Sequence, residues 1–92
     1  MTLYTPPTPA EVRALLQRWD LSGARAAALL CMGSRSPGRQ VRRWAGGESV
    51  MSFASLYTLA AHCEVDTWRQ HLEPSRWREQ LGLPQDVAEK AP

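Results

Sequence analysis

Four arginines, Arg35, Arg39, Arg42 and Arg43, stand within a single stretch of nine residues. Guanidinium groups at this density suit one kind of chemistry. They pair with planar, two-pronged acceptors, which means carboxylates, phosphates and the O6/N7 edge of guanine. No acid accompanies them: from Leu21 to Gly47, 27 residues, there is no Asp or Glu, and with Arg25 the window carries +5. The whole 92-residue chain is only +2, so the rest carries −3. Most charge runs are simply solvated faces, but an ordinary surface intersperses both signs. Segregation on this scale points to an anionic partner. The cluster's all-arginine character, Lys90 being the only lysine, favours nucleic acid.

Other constellations are thinner. Cys31, His62, Cys63 and His71 lack a paired C-x-x-C, and His62 and Cys63 are adjacent, so both cannot easily ligate one ion from a helix. The ordinary reading is small core cysteines in a reducing compartment and a surface His62. Cys63 has His62 beside it but nothing to orient that imidazole. There is no glycine-rich phosphate loop, no carboxylate pair and no Ser/His/Asp order. No enzyme, metal, cofactor or small-molecule ligand is expected. The N-terminus MTLYTPPTPA has no basic and apolar regions of a signal peptide, and no charge-free run approaches a membrane span, so a cytoplasmic protein is expected.

The elements that must hold the arginines are helical, in one small domain. Thr8, Pro9 and Glu11 announce a helix start with a capping box, and Val12, Leu15, Leu16 and Trp19 follow as one apolar stripe. Ser22 caps a second helix through Ala26, Ala27 and Ala28 that ends around Gly33. A third, over residues 37–45, has Ser36 as cap, Pro37 at its first position and Gly46 as a left-handed stop. On it Val41 and Trp44 point one way and Arg39 and Arg43 almost directly opposite, with Arg42 and Gln40 on the flanks. Gly38, lacking a side chain, would let the helix start approach a partner closely. Ser52 caps a fourth helix whose inward face is Phe53, Leu56, Leu59, Ala60 and Cys63, with Met51 stapled on Leu56. Asp66 would cap a short helix carrying Trp68 and Leu72, and Ser75 another carrying Trp77 and Leu81. No strand alternation appears.

The run LSGARAAALL…VRRWAGGESVMSFASLYTLA resembles the helix-turn-helix regulators of the Cro/XRE, lambda-repressor-like class, and within it small KorC-like regulators of plasmids, phages and integrative elements. The likeness rests on Leu21-Ser22, on Ala27, Val41 and Trp44 at packing positions, and on Gly46-Gly47. It implies an all-α fold of five or six short helices with the third in the major groove. Organisation would be a flexible arm over 1–7, the helix-turn-helix domain over 8–63, short helices over 64–83 and a flexible tail over 84–92. The resemblance implies base reading by Gly38, Arg39, Gln40 and Arg43, with phosphate contacts from Ser22, Arg35, Ser36 and Arg42.

One departure stands out. The family usually has a small residue, often Gly, four places after the packing Ala; here that place is Cys31. Val41 then follows ten residues later, so the turn CMGSRSPG is about four residues longer than the family's. Either the second helix is extended or the turn is a real loop.

Trp68, Leu72, Trp77 and Leu81 admit two readings, a cap on the core or a dimer interface, since aromatic anchors favour interfaces. The expected function is a dimeric repressor reading an inverted repeat in double-stranded DNA. The rivals are a helix-turn-helix-shaped adaptor or antitoxin-like partner of another protein, and a sequence-indifferent nucleic-acid binder.

Overall fold

The computed structural model describes residues 4–32, 38–64 and 70–83. Among these the chain is all α, with no strand: α1 Pro9–Arg18, α2 Gly23–Leu29, α3 Arg39–Gly46, α4 Phe53–Cys63 and α5 Trp77–Leu81. None of these helices is long and apolar enough to cross a membrane.

Helix starts follow local chemistry. The Thr8 hydroxyl accepts from the Glu11 N–H at 3.2 Å while the Glu11 carboxylate accepts from the Thr8 N–H at 2.9 Å. Ser22 and Ser52 cap α2 and α4 through the N–H groups of Arg25 and Ser55. Helices α1, α2, α3 and α5 end by one device, whereas α4 closes on Glu64 in extended conformation. Asp20, Cys31, Gly47 and Gly82 all sit at positive φ, and at each the next N–H reaches back to a carbonyl five residues earlier. Cys31, at φ +57°, therefore does the job usually given to glycine, and it ends α2 at Leu29 rather than near Gly33. The second helix is not extended. Residues 33–37 of the lengthened connection to α3, which include Arg35, the expected cap Ser36 and Pro37, lie outside the described residues.

One apolar cluster joins all five helices. Val12, Leu15, Ala26, Ala27, Val41, Trp44, Leu56, Leu59 and Ala60 are buried, with Met51 beneath them at the start of α4. Helices α1 and α2 both pack on α3, and α2 also meets α4. Ala28 turns outward, and Phe53 and Cys63 are only half-buried.

Of three expectations about the chain's two ends, two are corrected and one is narrowed. First, residues 4–7 are not a free arm. The Tyr4 hydroxyl donates to the Met51 carbonyl at 2.8 Å, Pro7 is buried, and the Thr5 carbonyl accepts from the Trp77 indole at 2.9 Å. Second, of the two readings of Leu72, Trp77 and Leu81, the burial fits the cap on the core rather than the dimer interface. These side chains are 6%, 0% and 5% exposed in the single chain, so a partner could reach them only by unfolding it. Their apolar mass completes a core that four helices of 7–11 residues could not close alone. Trp68 and Asp66 lie outside the described residues. Third, Ser75 caps nothing: α5 begins after Arg76 with no side-chain cap.

A two-pronged ion pair joins those ends. Glu11 is fully buried, and Arg78 grips it with Nε at 2.6 Å from Oε2 and Nη2 at 2.8 Å from Oε1. Arg78 also donates to the Thr5 hydroxyl and the Pro6 carbonyl, and its guanidinium lies 4.4 Å from the Trp77 ring centre. A carboxylate that caps α1 thus also anchors α5.

Candidate nucleic-acid interface

Helix α3 is held at both ends by glycines in the left-handed region. At its start, Gly38 (φ +85°) is buried against α2, where a Cβ would lie 2.6 Å from the Gly23 carbonyl carbon and 2.7 Å from the Ala24 nitrogen. Only glycine fits there. This corrects the reading of Gly38: its bare backbone admits the neighbouring helix rather than an outside partner. At the far end it is Gly47 (φ +84°), not Gly46, that turns the chain, close to the Pro9 ring. The Arg13 guanidinium, reaching from α1, donates to the Ala45 carbonyl at 2.6 Å. With Val41 and Trp44 at 0% and 5% exposure, the helix is locked in rotation as well as position.

That lock sets the outward face. Arg39, Arg42 and Arg43 are all exposed, and with Glu48 they line an open depression of about 430 Å³. Arg39 makes no hydrogen bond or ion pair with a described residue. The stem of Arg42 runs beside the start of α2, its Cγ 3.7 Å from where a Cβ on Gly23 would be. Ser22, exposed at that same helix start, has its oxygen engaged in the cap. Arg42 and Ser22 are therefore brought to one flank, while Arg39 and Arg43 sit along the crest. Arg35 and Ser36 lie outside the described residues.

Two neighbours of this face were not singled out by sequence. Glu48 brings a carboxylate oxygen to 3.7 Å from Arg43 Nε, and the Ser49 hydroxyl accepts from Gln40 Nε2 at 2.9 Å. The available signal was positional, since Glu48 is the first acid after the acid-free window and directly follows the glycine pair.

The thiols and imidazoles do not assemble. Cys31 is exposed, and burial pushes the half-buried Cys63 thiol above its ordinary pKa, with the Glu64 charge adding to the effect. His71 Nδ1 lies 2.6 Å from the Tyr57 hydroxyl. No group of three or more His, Cys, Asp or Glu side chains that could hold a metal occurs among the described residues.

No protein-family model matches the chain, and no solved structure matches it. A stretch of 52 residues is 38% identical to the transcriptional repressor protein KorC of Escherichia coli. The match covers 56% of this chain and 60% of that protein, so it spans less than two thirds of the relative. Over a little more than half its length, then, the chain is similar to a transcriptional repressor.

Proposed function

We propose that this protein is a transcriptional repressor that binds double-stranded DNA in a sequence-specific way, with α3 in the major groove. The observation that carries the reading is α3 itself. It is an eight-residue helix that buries Val41 and Trp44, turns three arginines to solvent and is fixed at both ends by its neighbours. An α-helix of this kind fits the major groove, where arginine pairs bidentately with guanine. The partial likeness to a repressor agrees with it.

In this reading Arg39, Gln40 and Arg43 meet base edges. Arg42, Ser22, Arg35 and Ser36 serve phosphates, and the start of α2 adds its unpaired N–H groups. Gly38 contributes packing alone. The operator is an inverted repeat bound by two copies, with their recognition helices about 34 Å apart. Because Leu72, Trp77 and Leu81 belong to the protomer's own core, the two-fold contact uses another surface. The setting is the cytoplasm, at a promoter of a phage, plasmid or integrative element.

A gel shift against the gene's own upstream DNA, at about 150 mM salt with scrambled competitor, tests this. A shift that survives the competitor is expected. Arginines meeting about four phosphates per protomer give log K against log salt a slope of about −3 to −4 each. Equal competition by scrambled DNA makes the protein a sequence-indifferent binder, and no shift at all makes it an adaptor.

A further inference from the structure

The outward face of α3 is not uniform. Gly47 reverses the chain so sharply that the Glu48 N–H bonds the Arg43 carbonyl at 2.9 Å, and the two side chains that follow fold back along the helix. Glu48 meets Arg43, and Ser49 meets Gln40. One short loop therefore touches Arg43 on the crest and Gln40 on the flank, and makes no hydrogen bond or ion pair with Arg39.

Stability does not account for the Glu48 contact. Both side chains are well exposed, 45% for Arg43 and 72% for Glu48, and 3.7 Å is an ion pair rather than a hydrogen bond. Such pairs add little to folding. Nor does attraction to DNA, because a carboxylate beside a phosphate-facing surface repels every duplex alike. The geometry fits a third role. Glu48's closest approach is to Nε, on the side of the guanidinium, so both terminal Nη groups stay available for an end-on grip on guanine O6 and N7. A long, flexible side chain is biased toward one direction before any partner arrives, which lowers the ordering cost of the correct contact. Duplexes that offer no guanine there meet the repulsion without the compensating bond.

We propose that Glu48 is a positioning residue that sets specificity: it aims Arg43 at one base pair and weakens binding to all others. This rests on the reading of α3 as a DNA-reading helix. Glu48→Gln keeps the shape and removes the charge, and at so exposed a site it leaves the fold intact, which circular dichroism checks.

Wild type, Glu48→Gln, Arg43→Ala and the double variant are each used to select from a randomised duplex library. Their affinities for the wild-type motif and for random duplex are then measured. The expected result is a two- to fivefold fall, roughly, in the motif-to-random ratio for Glu48→Gln. The base preference should relax at the same position that Arg43→Ala relaxes, and Glu48→Gln should not shift the ratio further in the Arg43→Ala background. An unchanged motif with a uniform gain in affinity makes Glu48 mere charge and overturns the proposal, as does relaxation at a position Arg43 does not read. If the wild type itself enriches no motif, the parent reading fails and this one with it, an outcome distinct from the other two.

Discussion

The same side chain is used in opposite ways at two places in this molecule. On α3, Arg43 stands in solvent with one acid 3.7 Å away, and Arg39 has no described partner at all. In the clamp between the chain's ends, Arg78 is 29% exposed and spends its donors on Glu11, Thr5 and Pro6 at 2.6–3.2 Å. Composition makes no distinction between them. What differs is whether the surrounding backbone presents acceptors. Around Arg78 the irregular segment before α1 offers carbonyls that no helix or sheet uses, and the guanidinium satisfies them. Around α3, Arg39 makes no hydrogen bond or ion pair with a described residue and Arg43 makes only the 3.7 Å ion pair, so these two keep most of their hydrogen-bonding capacity. One region converts charge into internal contacts; in the function proposed above, the other reserves it for DNA.

The largest test of that contrast is removal of Arg78. Arg78→Ala leaves the fully buried Glu11 carboxylate without its cation and is expected to cost about 3–5 kcal/mol, measured by urea unfolding. Glu11→Gln should cost less, because Arg78 retains Thr5, Pro6 and partial access to water. Equal costs would mean that the clamp is ordinary packing rather than a charge trapped between two ends of the chain.

Next in size are the glycines that pin α3. Gly38→Ala must hold a side chain at φ +85° with its Cβ against the α2 backbone, a loss of about 2–4 kcal/mol from strain and overlap together. It should also displace α3, so DNA affinity falls even where the protein remains folded. Gly46→Ala is the counterpart. It is helical, with nothing within 4 Å of the new methyl, and is expected to stabilise by about 0.4–1 kcal/mol. A destabilising Gly46→Ala would return the left-handed turn to Gly46, where sequence alone had put it.

These sites show how far the sequence could be read. Capping is local: Thr8 and Glu11 lie three residues apart, as do Ser22 and Arg25, so their pairing was visible as spacing. So was the two-faced character of α3, because a helix repeats every 3.6 residues. Between Gly46 and Gly47 local sequence does not discriminate, since either glycine can take a positive φ, and the structure puts it at Gly47. The Glu11–Arg78 pair spans 67 residues, and nothing in either local sequence encodes the other. Trp77 stayed undecided between two readings for a related reason. An aromatic residue on a short amphipathic helix looks alike whether it closes its own core or a neighbour's, and only the position of the Thr5 carbonyl settles which. The arginine cluster was legible as charge, but the acid that folds back onto it was not, because Glu48 falls one residue beyond the window that made the cluster stand out.

Substitutions on α3 should divide binding from stability. Arg39→Ala and Arg43→Ala are expected to cost about 1–3 kcal/mol of operator affinity and to relax particular base positions. Each should leave the unfolding free energy within about 0.5 kcal/mol of wild type. Arg42→Ala, on the flank beside α2, should weaken all sequences alike and reduce the salt slope by about one. If Arg39→Ala and Arg42→Ala lose operator and random DNA in the same proportion, the division into crest and flank is wrong. If any of the three lowers stability as Arg78→Ala does, the two regions are not different in kind.

One effect at the edge of the clamp depends on pH. Burial pushes the Tyr4 phenol from 10.0 to about 12, partly opposed by the positive charge of Arg78. The folded chain therefore holds this proton more tightly than the unfolded one. Its contribution is complete below pH 10 and is lost as pH rises through about 12, because the unfolded state releases the proton first. Tyr4→Phe removes the donor to the Met51 carbonyl but keeps the edge contact with Phe53, whose ring centre is 5.4 Å away. At neutral pH that should cost about 0.5–1.5 kcal/mol. Unfolding both proteins at a series of alkaline pH values should show wild type falling toward the variant from pH 10 upward, so the gap narrows. A gap of constant width would mean that the phenol reaches water in the folded chain, and the first residues would then be less firmly held than the indole and guanidinium contacts on Thr5 require.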